Sequence, residues 1–170
     1  DWPDPSAFHR IIWEVPFAAR HSERATQHPE WIEPSLMQMI AYAGRLSAIE
    51  HGKALLARSV FFQDVLRFFD TYDLLLTPQM PVGAWSAEPD AWPREIDGRP
   101  TPNVFDHTPF TFPFNLTGQP AATVPCGFTA EGLPVGLQIV GRWHADATVL
   151  RAAACFEAAQ PWAQHRPPIL

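Results

Sequence analysis

The chain has 170 residues, a length that suits one domain with a substantial core. Twelve basic residues against eighteen acidic ones give a net charge of −6. Because no cluster of Lys and Arg is present to neutralise phosphates, the sequence argues against a nucleic-acid partner. No apolar run approaches the roughly 20 residues that a membrane span needs, and a hydrophobic content of 46% argues against disorder. No membrane partner is therefore expected.

The two cysteines, Cys126 and Cys155, have neither the spacing of a metal site nor that of a disulfide framework. This usage suits a reducing compartment, so a cytoplasmic location is expected. The seven histidines are scattered along the chain, and the sequence predicts no metal site and no cofactor. The first residue is Asp1 rather than Met, which suggests either processing or a piece of a longer protein.

The first half of the chain predicts helices. Residues 5–20 have helical apolar spacing, which Pro16 is expected to interrupt. Pro34 suits the first turn of a second helix that extends to about residue 46. Ser47 and Glu50 have the spacing of a capping box, so a third helix is expected to start there and continue to about Tyr72. One face of this helix carries the predicted contact residues Leu55, Phe62, Leu66 and Phe69.

The second half predicts strands and a final helix. Residues 73–81 indicate a short buried strand, and the proline-rich residues 81–113 a long loop. Two further strands are predicted at about 121–126 and 135–140, within one sheet. The alanine-rich residues 146–159 predict a helix with Asp146 as its cap. This order of elements indicates a mixed α/β protein.

Candidate nucleophiles are few. Cys126 with Asp106 and His107 would supply the residue types of a nucleophile, a base and an orienting group. A free cysteine between Pro125 and Gly127 at a strand end is more typical of an inert core residue, and this second interpretation is the one favoured. None of the six serines lies in a Gly-x-Ser-x-Gly turn. These residues alone assemble no catalytic site.

Glycines and prolines in the second half carry a family resemblance. The stretches "FNLTGQPAATVPCGF" at 114–128 and "GLPVGLQIVG" at 132–141, preceded by "YDLLLTPQMP" at 72–81, resemble the C-terminal block of the amidase signature family. The resemblance implies the C-terminal part of an α/β/α sandwich, in which helices flank a mixed β-sheet. Residues 1–170 would form a single segment of that domain, with 1–46 a helical lead-in and 47–170 the family-like core.

Members of this family use a Lys–cis-Ser–Ser triad in a glycine- and serine-rich region, which has no counterpart in this sequence. The resemblance therefore implies a C-terminal fragment of an amidase that is inactive alone. Its expected partners are an amide substrate and the missing N-terminal half of the same protein. The alternative is a non-catalytic remnant of the fold that binds a small molecule or a protein. An uncovered sheet edge or apolar face would also permit a homodimer.

Residues 107–115 form the candidate substrate-binding segment. The segment is aromatic and proline-stiffened, as a mostly apolar pocket requires, and the resemblance places the equivalent stretch on the acyl side of the substrate channel. The candidate residues are Phe110, Thr111, Phe112 and Phe114. Alternatively, these phenylalanines fill the core. Trp85 and Trp92 are candidates for a lid or a cover over the sheet edge, and Gln138 is expected to bond backbone groups if it is buried.

Overall fold

The computed structural model describes residues 2–88 and 91–166. Its elements in chain order are α1 (Ser6–Gln27), α2 (Pro34–Ala43), α3 (Ala48–Thr71), β1 (Leu74–Pro78), β2 (Glu95–Ile96), β3 (Arg99–Pro100), α4 (Phe112–Thr117), β4 (Ala121–Phe128), β5 (Pro134–Gly141) and α5 (Asp146–Ala159). Short 3-10 turns lie at Pro29–Trp31 and Val104–His107. The chain divides into two compact units, Asp1–Asp64 and Val65–Leu170, and the division falls within α3. The single-segment organisation of residues 1–170 stays a prediction.

In the first unit, α1 packs against α2. The helix α1 continues through Pro16 to Gln27, so the predicted interruption is wrong. A proline removes one backbone hydrogen bond, and we attribute the continuity to the packing against α2. Glu14 is 1% exposed and its Oε1 accepts a hydrogen bond from Arg10 Nε at 2.9 Å. The Arg10 guanidinium in turn lies 3.8 Å from the ring centre of Tyr42.

The capping box before α3 is confirmed. The backbone N–H of Ser47 donates to Glu50 Oε2 at 2.8 Å, and the backbone N–H of Glu50 donates to Ser47 Oγ at 3.1 Å. Three of the four residues predicted for the buried face of α3 lie one position after a buried residue, with Leu55 42% exposed, whereas Phe69 is buried as predicted. The buried positions are Ala54, Phe61, Val65 and Phe69. Because adjacent residues lie about 100° apart on a helix, a shift of one position exchanges a buried side chain for an exposed one.

The second unit contains a three-stranded antiparallel sheet of order β1–β5–β4. The α/β class and the placement of β4 and β5 in one sheet are confirmed. Val124, Ile139 and Val149 form a buried core between this sheet and α5. Helix α5 begins at Asp146 and Ala145 occupies its cap position, so the predicted cap is wrong. Asp146 still places a negative charge in the first turn, where the helix dipole favours it.

Residues 81–113 hold more structure than the predicted loop. Strands β2 and β3 form a short hairpin, with Asp97 and Gly98 at positive φ between them. In the turn Val104–His107, the Asn103 side chain accepts from the Phe105 backbone N–H and Asp106 bonds the Asn103 backbone N–H. None of the helices in the described ranges 2–88 and 91–166 is long and apolar enough to cross a membrane.

Candidate functional site

The predicted substrate-binding segment forms a braced turn followed by the short helix α4. The carbonyl of Thr108 accepts hydrogen bonds from the Thr111 backbone N–H at 3.1 Å, from Thr111 Oγ1 at 3.1 Å and from the Phe112 backbone N–H at 3.3 Å. Pro113 lies in the first turn of α4, where its missing N–H costs nothing. Gly118 ends the helix with φ 76°, and its N–H donates to the Phe114 carbonyl at 2.7 Å.

The four predicted residues divide by exposure. Phe110 and Thr111, in the turn, are half-buried. Phe112 and Phe114, in α4, are 4% and 6% exposed. Helix α4, in which every residue but Asn115 is buried, was not predicted. Pro113 and Gly118, at the expected start and stop positions of a helix, are the signal that could have indicated it.

Gln138, in the middle of β5, joins this turn to the sheet. Its side chain is 3% exposed, and its Nε2 donates to the Phe110 carbonyl at 2.6 Å and to Thr77 Oγ1 at 2.9 Å. The expectation that a buried Gln138 would bond a backbone group is confirmed. Thr77 lies in β1 directly opposite Gln138. One amide group thus connects β1, β5 and the turn before α4.

A cavity of about 350 Å³ lies beside the end of β1 and the start of β5. Its wall is formed by the residues after β1, the following loop and the start of β5: Gln79, Met80, Val82, Gly83, Ala84, Trp85, Pro134, Val135 and Gly136. Thr123 Oγ1 donates to Gln79 Oε1 next to it. Trp85 therefore lines a cavity, whereas the four predicted residues lie outside this wall.

The buried imidazole of His107 organises the loop around both tryptophans. His107 is 4% exposed, and its Nε2 lies 2.8 Å from the Pro93 carbonyl. The His107 ring centre is 5.5 Å from that of Trp85 and 6.5 Å from that of Trp92. Arg94 lies 4.8 Å from the centre of the Trp92 ring. This cluster was not predicted, because the sequence gives no periodic pattern across the proline-rich loop.

The disfavoured thiol site finds no support in these contacts. Cys126 Sγ lies 3.5 Å from the Val135 carbonyl across the β4–β5 hairpin. His107 is bonded to Pro93, and Asp106 Oδ2 accepts from the Asn103 backbone N–H at 2.9 Å. Each residue of the trio is therefore engaged locally. Across the part of the chain that the structure describes, no group of three His, Cys, Asp or Glu side chains could hold a metal ion.

Comparison with known proteins gives one family. The sequence model of the Amidase family matches residues 19–150. An acylamidase of Rhodococcus erythropolis is 35% identical over 169 residues, covering 98% of this chain and 35% of that protein. A glutamyl-tRNA(Gln) amidotransferase chain from Moorella thermoacetica is 40% identical over 115 residues, which cover 68% of this chain and 22% of that protein.

The fold gives the same result. The crystal structure of a bacterial aryl acylamidase of the amidase signature enzymes family superposes with a TM-score of 0.84 at 28% identity. The superposition covers 96% of this chain and 36% of that one. This chain thus spans about a third of the length of the acylamidases to which it is similar.

Proposed function

Because this chain belongs to the amidase family, we propose that the protein carrying it hydrolyses linear amide bonds. The observation that carries the proposal is 35% identity to an acylamidase over 98% of the chain. The present residues supply fold and pocket wall. The Lys–cis-Ser–Ser triad is proposed to lie in a part of the polypeptide beyond these residues, since they cover 35% of that relative.

The proposed acyl pocket includes Phe110, Thr111, Phe112 and Phe114. Phe110 and Thr111 are the half-buried pair, held by the braced turn, and Phe112 and Phe114 are the buried pair in α4. Support for this proposal comes from the position of the turn immediately before the family block and from its apolar character, which suits an acyl group. A core role for the two buried phenylalanines is the competing interpretation.

The proposed partner is the remaining part of the amidase polypeptide. Ile49, Leu56 and Val60 on α3 are 71%, 70% and 63% exposed, and their spacing places them on one helical face. Such an apolar stripe is typical of a surface that another segment covers. We propose that the missing polypeptide, rather than a second copy of this chain, covers it. A cytoplasmic location is also proposed, because Cys126 and Cys155 are both free thiols.

The test is an assay of the complete polypeptide on acyl para-nitroanilides that differ in acyl size. We expect hydrolysis by the complete polypeptide and none by the 170-residue chain alone. Turnover by the chain alone that Cys126→Ser abolishes would contradict the proposal and support a thiol mechanism. If the complete polypeptide hydrolyses no amide, the chain is instead a non-catalytic remnant of the fold.

Substitutions at three of the four proposed pocket residues test their role. Phe112→Ala and Phe114→Ala in the complete polypeptide should favour bulkier acyl groups, by roughly 10–200-fold in the ratio of kcat/KM values. Thr111→Val separates the contribution of the hydroxyl. Unfolding must be measured in parallel, since a core phenylalanine cut to Ala costs about 3–5 kcal/mol. A loss of that size with an unchanged ratio would assign these residues to the core.

A further inference from the structure

Gln138 is a buried polar side chain whose hydrogen-bonding capacity is directed at the turn before α4. It is 3% exposed, and its amide nitrogen carries two hydrogens, one for each of its contacts with the Phe110 carbonyl and Thr77 Oγ1. Buried amides are retained at a cost unless both groups find partners. The donor side of this amide is therefore fully used, and one of its bonds reaches 28 positions back along the chain.

The two faces of the sheet contact different elements. Ile139, the next residue of β5, is 2% exposed and packs into the core with α5. Because successive side chains of a strand point to opposite faces, Gln138 lies on the face away from α5. On this face it meets Thr77, its direct cross-strand neighbour, and the Phe110 carbonyl. The apolar face thus anchors a helix, and the polar position on the other face anchors the turn.

The turn is also braced by its own hydrogen bonds. Three hydrogen bonds converge on the Thr108 carbonyl, from Thr111 and Phe112, so the relative positions of residues 108–112 are fixed internally. The bond from Gln138 ties this piece to the centre of the sheet at Phe110. Loss of the Gln138 bond would therefore free Phe110 and Thr111 together and weaken the bonds from the Thr111 and Phe112 N–H groups to Thr108, which the anchored turn maintains.

We infer that Gln138 is a positioning residue that fixes the acyl-pocket wall, Phe110 and Thr111, against the sheet without itself contacting substrate. This inference rests on the proposed amidase function. Its consequence is that acyl selectivity depends on a side chain outside the pocket wall, through one hydrogen bond to a backbone carbonyl. Thr77 holds the Gln138 amide from the opposite side and has a secondary part, because its loss leaves the bond to Phe110 intact.

The experiment compares three substitutions at Gln138 with two others. Q138M keeps the length and removes both donors, Q138E keeps the shape and replaces the donors by oxygen, and Q138N keeps the amide but shortens its reach. T77V removes the acceptor and leaves the Phe110 bond. Q160M is the matched control, because the exposed Gln160 also donates to a backbone carbonyl, that of Cys126 at 3.2 Å.

Two readouts decide the matter. In the complete polypeptide, the kcat/KM ratio between short and bulky acyl para-nitroanilides should change about tenfold in Q138M and Q138E. T77V and Q160M should change it much less. In the 170-residue chain, amide hydrogen exchange at Thr111 and Phe112 should quicken in Q138M but not in Q160M. If Q138M does not fold, Q138N supplies the same comparison.

The two readouts distinguish a failure of the inference on Gln138 from a failure of the proposed amidase function. If Q138M, or Q138N in its place, lowers the unfolding midpoint while the selectivity ratio and the exchange at Thr111 and Phe112 stay unchanged, Gln138 is only a stabilising residue and the inference is wrong. If no amide is hydrolysed, the amidase proposal and the inferred control of selectivity both fail. The exchange readout would then still show whether Gln138 positions the turn, independently of any activity.

Discussion

Single residues in this chain show how burial changes the behaviour of an ionisable group. His9 lies in α1 and is 3% exposed, and this burial lowers its pKa from 6.5 to about 4. Burial also raises the pKa of Glu14 on the same helix, against the opposing effect of Arg10. The two shifts act in opposite directions on folding. Neutral His9 favours the folded state at higher pH, and a raised carboxyl pKa favours it at lower pH.

The buried imidazole predicts an acid-sensitive fold. The unfolded state binds a proton at His9 below about pH 6.5 and the folded state only near pH 4, so the stability that His9 contributes is lost as pH falls through that window. The free energy of unfolding of the wild type relative to H9Q should drop by roughly 2–3 kcal/mol between pH 7.5 and pH 4.5. Urea unfolding at the two pH values measures it. If wild type and H9Q differ in unfolding free energy by the same amount at both pH values, burial does not shift the pKa of His9.

Gly141 predicts a steric limit at the end of β5. A Cβ at position 141 would lie 2.5 Å from Cγ2 of Val149. Val149 belongs to α5 and is 2% exposed, within the core between α5 and the sheet. Gly141→Ala should therefore destabilise the chain by about 1–3 kcal/mol through overpacking. Gly127→Ala is the control, because a Cβ in that strand position meets nothing within 4 Å. Thermal unfolding of both variants checks the prediction, which fails if the two midpoints shift alike.

Among the elements, α3 is the one whose start is marked most clearly by the sequence. Ser47 and Glu50 bond each other's backbone N–H groups, and the helix begins at Ala48. Ser47→Ala should remove this cap and cost about 1 kcal/mol. Gly52→Ala, where a Cβ meets nothing within 4 Å, should stabilise by roughly 0.5–1 kcal/mol. Chemical unfolding measures both. Opposite signs are expected, and a stabilising Ser47→Ala would refute the capping argument.

The elements also show where sequence reasoning succeeds. The helix at 146–159 and the paired strands were predicted because their local signals agree with their burial. The predicted interruption at Pro16 was wrong. The sequence shows the hydrogen bond that a proline removes, but it does not show the packing of α1 on α2 that offsets this loss. The link from Gln138 to Phe110 spans 28 positions. Sequence indicated that a buried Gln138 needs partners, but which carbonyl it meets depends on the tertiary fold.

At the scale of the whole chain, exposed apolar surface sets the expected behaviour in solution. Ile49, Leu56 and Val60 form a stripe along α3 with more than 60% of each side chain exposed. Exposed apolar side chains on one helical face favour association in water. The net charge of −6 makes two copies repel each other, and added salt screens this repulsion. We therefore expect the isolated chain to self-associate, and more so at higher ionic strength.

Replacing the stripe by serine separates association from folding. Ile49→Ser, Leu56→Ser and Val60→Ser together should make the isolated chain monomeric in sedimentation equilibrium with little loss of stability, because these side chains are already in water. Gln63→Ser, at an exposed polar position on the same helix, changes no charge; it is the control and should leave association unchanged. In the complete amidase polypeptide the triple replacement should instead lower the unfolding midpoint, because there the stripe is proposed to pack against the remaining chain. An unchanged midpoint in the complete polypeptide would mean that this face stays open to solvent, and the proposed partner would then have to bind elsewhere.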